Sequence, residues 1–280
     1  MIPAAFDYLR PQSLNEAIRM LADHAADCKV LAGGHSLIPA MKLRLAQPKT
    51  IIDISRIADL SYIRHHDGQL AIGAMTTHYE IESSALVREK CPLLAEVASQ
   101  IGDVQVRNKG TIGGSLVHAD PAADWPAPIL ALDAELAIAD PTDFRAVPAK
   151  EFFVDLMQTA VRPNDILCEI RVRTTASSVA YVKFAQKASG FAIAGVAALV
   201  DTANQTVKVG ITGVCAKPYR AKAVEQYLKG KELTPETLAK AATRATKDIE
   251  ALNDIHASAE FRLHLAQVNT RRALERAASR

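Results

Sequence analysis

Residues 107–127, RNKGTIGGSLVHADPAADWPA, limit the fold more than any other stretch. Glycines at 110, 113 and 114 stand among hydroxyls at Thr111 and Ser115 and acids at Asp120 and Asp124. The stretch has no long run of helical periodicity. It therefore reads as a backbone loop that closely approaches a ligand, since glycine permits angles and contacts denied to other residues. A similar loop lies upstream at 32–36, AGGHS. The two loops together are expected to hold one dinucleotide. A pyrophosphate carries two phosphates, and each loop can offer amides and hydroxyls. The alternative is a turn-rich connection with a basic edge from Arg107 and Lys109.

The flanks support the ligand reading. Cys28–Ala32 reads as a short buried strand, Leu37–Leu45 as a helix begun by a Ser36 cap, and Lys49–Ile54 as a second strand. That order puts a glycine turn at the carboxyl end of a strand, where open α/β sheets bind ligands. The glycines do not spell G-x-G-x-x-G, which argues against a Rossmann site. Helices are expected over Pro11–His24, with a Ser13/Glu16 capping box, over Thr77–Ser83, and over Cys91–Ile101, ending near Gly102. Asp120 and Asp124 read either as turn formers bonding their own backbone or as acceptors for ribose or ribityl hydroxyls. The ligand role is favoured for Asp124 only. His65 and His66 read as solvated turn residues, and His118 as a polar contact. Ile129–Ala139 reads as a helix and strand, or as one strand after a turn.

The polar run 173–178 suggests a boundary, giving domains 1–176 (subdomains about 1–57 and 58–176) and 177–280. Val179–Gln186, Ala192–Asp201 and Thr206–Gly213 then read as an antiparallel meander. Thr234-Pro235 starts a helix, and Ser258 caps a last one over Ala259–Ala278. Its arginines read as a solvated face, with a docking surface as the alternative.

Several function classes fall away. A net charge of +2 gives no reason to propose nucleic acid or an anionic membrane. The 4 cysteines lie far apart, so the chain is expected to carry no metal site or iron–sulfur cluster of its own. The longest nearly apolar run, Gly190–Val200, is too short to span a bilayer. Asp7 and Arg10 interrupt the amino-terminal segment, so no signal peptide is expected and the cytoplasm is the expected location.

Six segments, in order along the chain, carry a resemblance: FDYLRPQSLNEA (6–17), LAGGHSLIPAMKLR (31–44), IIDIS (51–55), IGAMTTH (72–78), VRNKGTIGGSLVHADPAADWP (106–126) and ASAEFRLHLA (257–266). They resemble the FAD-binding medium subunit of molybdenum hydroxylases, the carbon monoxide dehydrogenase and xanthine dehydrogenase family. The resemblance implies an α+β fold of the vanillyl-alcohol-oxidase type: two subdomains clasp FAD, and an antiparallel sheet with helices follows. It implies that Ala32, Gly33, Gly34, His35 and Ser36, with Thr111, Ile112, Gly113, Gly114 and Ser115, hold the pyrophosphate. Asp124 and Leu167 would contact FAD. By the same resemblance Ile101 and Lys183 (or Gln186) would be further contacts. Many relatives carry Asn where Ser115 stands; Ser keeps a donor and an acceptor, so FAD binding is expected to survive.

The implied function is electron relay. A molybdopterin-containing large subunit oxidises the substrate. A small subunit passes electrons through [2Fe–2S] clusters to FAD on this chain, and an external acceptor (quinone, oxygen or NAD) removes them. The implied assembly is a dimer of heterotrimers. No catalytic side chain is expected here. Two other readings stay open: a stand-alone FAD-dependent oxidase or dehydrogenase, and an assembly subunit that has lost FAD.

Overall fold

A computed structural model describes residues 1–24 and 27–280. The first unit alternates strand and helix: β1 (Asp7–Leu9), α1 (Leu14–His24), β2 (Cys28–Leu31), α2 (Leu37–Lys42) and β3 (Thr50–Asp53). The strands are parallel in the order β1-β3-β2. Ala17, Ile18 and Leu21, spaced for one helix face, pack with Ile52 and Ile54. The helix starts at Leu14 rather than Pro11, because Ser13 Oγ takes the Glu16 amide and the Glu16 carboxylate takes the Gln12 amide. Ser36 makes no side-chain cap on α2, contrary to expectation.

The second unit opens with a hairpin, β4 (Ile63–His66) and β5 (Gln69–Gly73). Six helices follow: α3 (His78–Ser83), α4 (Ala85–Lys90), α5 (Pro92–Ser99), α6 (Val104–Lys109), α7 (Ile112–His118) and α8 (Pro126–Ala131). Then come β6 (Glu135–Ala139), β7 (Phe144–Pro148), α9 (Ala149–Phe152), β8 (Phe153–Asp155), β9 (Gln158–Thr159) and β10 (Ile166–Arg173). Its main sheet has the order β4-β5-β10-β6-β7, with β10 antiparallel to both neighbours.

This corrects the loop reading of 107–127, which holds α7 and parts of α6 and α8. These helices are too short to show a hydrophobic period. They are started by side chains instead: Asp103 Oδ1 accepts the Val106 amide and Thr111 Oγ1 the Gly114 amide. His65 and His66 end strand β4 rather than lying in a turn. Over Ile129–Ala139 the helix-and-strand alternative is the observed one.

The third unit is the expected meander: β11 (Ser178–Ala185), β12 (Ala192–Asp201) and β13 (Thr206–Thr212), with β14 (Tyr219–Arg220) at its edge. Helices α10 (Lys222–Leu228), α11 (Pro235–Ala242) and α12 (Ala259–Ala278) follow. Strand β12 is apolar as far as Val200 because both its faces are covered. Val196, Ala198 and Val200 pack with Leu265 and Leu274 of α12; Ala197 and Leu199 join the core of the second unit. The arginines of α12 are not simply solvated. Arg262 is buried, donates to the carbonyls of Ile193 and Gly213, and pairs with Asp254. Arg276, and Arg280 just past the end of the helix, both reach Glu96 on α5.

Candidate functional site

The two glycine stretches lie back to back. A Cβ on Gly33 would stand 2.1 Å from the Lys109 oxygen and 2.8 Å from Gly110 Cα. One on Gly114 would stand 3.4 Å from Ala32 Cβ. The first loop leaves the carboxyl end of β2, and Gly34 turns it at φ +76. The second is stitched to the sheet behind it. Gly110 oxygen accepts the His78 amide, Thr76 oxygen the Ile112 amide, and Ala74 oxygen the Gly113 amide. Ala74 in turn donates to Cys168 on β10, beside Leu167.

The loops differ in what they leave free. Among the described residues, the amides of Gly33, Gly34, His35 and Ser36 meet no protein acceptor, and neither does the Ser36 hydroxyl. His35 is exposed and donates Nδ1–H to the Gly33 oxygen at 3.1 Å. In the second loop the amides of Ile112, Gly113, Gly114 and Ser115 are spent inside the protein. Its contribution is therefore hydroxyls rather than a row of amides: Thr111 Oγ1 and Ser115 Oγ. Unpartnered backbone donors on a glycine turn suit an anionic, oxygen-rich ligand. A dinucleotide fits this arrangement.

Asp124 is buried and is held from inside. Its Oδ1 accepts the Tyr181 hydroxyl at 2.5 Å, and its Oδ2 accepts from Lys183 Nζ at 3.1 Å. Lys183 also donates to the carbonyls of Gln100 and Gly190, at 2.6 and 2.8 Å. Burial pushes the Asp124 carboxyl up, against Lys183 and Tyr181, which favour its charged form. The pair ties the β11–β12 turn to the end of α5, next to Ile101 and Gly102. Ile101 and Leu167 are buried in one apolar core. Asp120 takes the turn-forming role: its Oδ1 accepts the Ala122 amide at 2.8 Å.

Sequence reasoning missed two kinds of residue here. His78 and Trp125 form a buried pair under the second loop, with the indole Nε1 donating to His78 Nδ1 at 3.0 Å. Their separation in sequence hid the pairing. Phe191, at the base of the β11–β12 turn just before β12, keeps an exposed ring next to Gly190, which abuts Gly102. An aromatic beside a glycine at a strand start was the available signal.

Comparisons with known proteins match this arrangement over the whole chain. The family described as "FAD binding domain in molybdopterin dehydrogenase" matches residues 4–174, and "CO dehydrogenase flavoprotein C-terminal domain" matches residues 179–277. The chain is 39% identical to the carbon monoxide dehydrogenase medium chain of Hydrogenophaga pseudoflava, over 100% of this chain and 99% of that protein. It is 33% identical to the 6-hydroxypseudooxynicotine dehydrogenase complex subunit alpha of Paenarthrobacter nicotinovorans, over 100% and 97%. The solved structure of the Hydrogenophaga pseudoflava carbon monoxide dehydrogenase lacking the Mo-pyranopterin moiety matches with a TM-score of 0.96 at 40% identity, covering 100% of this chain and 99% of that one. The chain belongs to the FAD-binding family of molybdopterin dehydrogenases.

Proposed function

We propose that this family member is the FAD-carrying electron-relay subunit of a molybdenum-containing hydroxylase or dehydrogenase complex. The observation that carries the reading is the pair of abutting glycine loops with free amides on one and hydroxyls on the other, in a chain that matches the family from end to end. Gly33, Gly34, His35 and Ser36 would hold the FAD pyrophosphate through their amides, helped by the hydroxyls of Thr111 and Ser115. Ala32, Ile112, Gly113 and Gly114 would form the backbone wall that lets the cofactor approach. Ile101 and Leu167 would lend an apolar surface. Asp124 and Lys183 would hold the wall in place.

Bound FAD supplies the redox chemistry, accepting electrons and releasing them. The chain's own residues bind the cofactor, orient it and govern access. No side-chain nucleophile or general base is needed, and none is assigned. Domains 1–176 and 177–280 divide these tasks: the first clasps the cofactor, the second braces it through β11 and α12. The partners are a molybdopterin-containing large subunit and a [2Fe–2S] small subunit, arranged as a dimer of heterotrimers. Electrons leave to quinone, oxygen or NAD. No helix among the described residues is long and apolar enough to cross a membrane, which is compatible with the cytoplasm as the place of action.

Co-expression with the large and small subunits tests the reading. A complex should elute together, and its flavin should bleach anaerobically when the large subunit's substrate is added. A chain that elutes alone and reduces its own flavin with a small molecule would instead be a stand-alone dehydrogenase.

A further inference from the structure

The backbone of Gly110 is packed between the His78 ring and the first glycine loop. A Cβ added to Gly110 would stand 2.7 Å from His78 Nε2 and 3.0 Å from its Cδ2, so the edge of the ring lies against the glycine. A Cβ added to Gly33 would stand 2.8 Å from Gly110 Cα. Ring, Gly110 and Gly33 thus form a stack in contact, with no room for a methyl group at either joint. Packing at this density transmits a displacement rather than absorbing it.

The ring at the base of the stack is itself held. His78 opens α3 and is 3% exposed. Its backbone amide donates to the Gly110 oxygen at 3.0 Å, and Thr77 before it forms a β-bridge with Thr111. On another edge of the ring, Nδ1 accepts the indole N–H of the fully buried Trp125 at 3.0 Å. An indole N–H can only donate, so a second ring proton on Nδ1 would set donor against donor. Burial, with His35 and Arg107 nearby, pushes the His78 pKa down to about 3, and the ring stays neutral and in place. At the other end of the stack, the amides of Gly33, Gly34, His35 and Ser36 meet no protein acceptor among the described residues.

We propose that His78 is a positioning residue: through Gly110 it sets the seat of the first glycine loop, and with it the aim of the loop's free amides at their ligand. His78 itself touches no ligand. This rests on the reading that the first loop holds the FAD pyrophosphate.

The test uses the full chain stripped of flavin and titrated with FAD by flavin fluorescence, beside His78→Asn and His78→Gln. Asn keeps an acceptor where Nδ1 meets Trp125 but stops short of Gly110. Gln reaches as far as Nε2 and refills that contact. His78→Asn should weaken FAD binding about tenfold, as for one misaimed hydrogen bond to an anion, and should shift the Gly33 and Gly34 amide signals of the flavin-free chain. His78→Gln should restore both. A role in stability alone gives the opposite order, because Asn is the variant that keeps the Trp125 bond. Wild-type affinity in His78→Asn, or an equal loss in both variants, overturns the positioning role and leaves the FAD reading intact. Coupling is reciprocal, so FAD binding to the wild-type chain should move the ring nitrogen signals of His78. That measurement needs no variant, so a misfolded His78→Asn does not remove the test, and unmoved ring signals overturn the proposal. A wild-type chain that binds no FAD overturns both.

Discussion

Replacing Lys183 with Met tests whether the buried Lys183–Asp124 lock has the strength its geometry implies. The Lys183–Asp124 pair is 5% and 3% exposed at its side chains, so solvent screening is weak. Met keeps the chain's length and removes all its donors. Two carbonyls, of Gln100 and Gly190, lose their partner, and Asp124 is left as a buried carboxylate with only the Tyr181 hydroxyl. Breaking one side of a buried pair costs about 3–5 kcal/mol. In a chain of this size that lowers the melting temperature by roughly 10 °C.

The loss should depend on pH with a definite sign. Burial already raises the Asp124 pKa, and removing Lys183 removes the first influence holding it down. A carboxyl with a raised folded pKa binds its proton more tightly in the fold than in the unfolded chain. Its contribution is therefore complete below the unfolded value and is lost as pH rises through the folded one. Lys183→Met should be most damaging near pH 8 and recover toward pH 5. Adding Asp124→Asn should restore part of the stability, so the double variant loses less than the sum of the singles. The assay is urea denaturation at both pH values. A Lys183→Met penalty under about 1 kcal/mol and flat with pH would mean a solvated surface pair and would refute the reasoning.

Other substitutions should separate roles that look alike in sequence. Gly33→Ala places a Cβ against the Lys109 carbonyl and should lose both stability, by about 1–3 kcal/mol, and FAD; unchanged melting would contradict the loop contact. Gly114→Ala places a Cβ 2.8 Å from Thr111 Oγ1, the buried cap of α7, and 3.4 Å from Ala32 Cβ, so both melting temperature and FAD retention should fall, read by thermal denaturation and by released flavin per chain. His78 has its pKa depressed from 6.5 to about 3, so the unfolded chain binds the extra proton in between. Stability should therefore fall as pH drops below 6.5, by up to about 1.4 kcal/mol per unit, and His78→Gln should flatten that fall in acid denaturation. Glu96→Ala removes the acceptor of Arg276, Arg280 and the Tyr181 amide, and should cost about 1–3 kcal/mol in the same denaturation assay; no loss would mean that this clamp between α5 and α12 is solvated.

That the two glycine stretches come together was legible from their shared glycine–hydroxyl pattern, and the meander because its strands alternate or run apolar over seven to ten residues. The helices around the second loop were not. At six or seven residues they are shorter than two turns, so Asp103 and Thr111 start them where no periodicity can. Arg271, Arg272 and Arg276 are exposed as expected, and Arg262 was misread because its burial depends on carbonyls of Ile193 and Gly213, far away in sequence. His78 escaped for the same reason: its meaning depends on Trp125, 47 residues on. Local chemistry was readable, and partners brought by the fold were not.

The central claim is that the two loops hold FAD, and the most direct measurement is the visible spectrum of the purified chain with its released cofactor identified. The account predicts a flavin spectrum and one FAD per chain, or stoichiometric uptake when FAD is added to folded chain that lost it. A folded chain that takes up no added FAD would contradict it and leave the loops a purely structural joint.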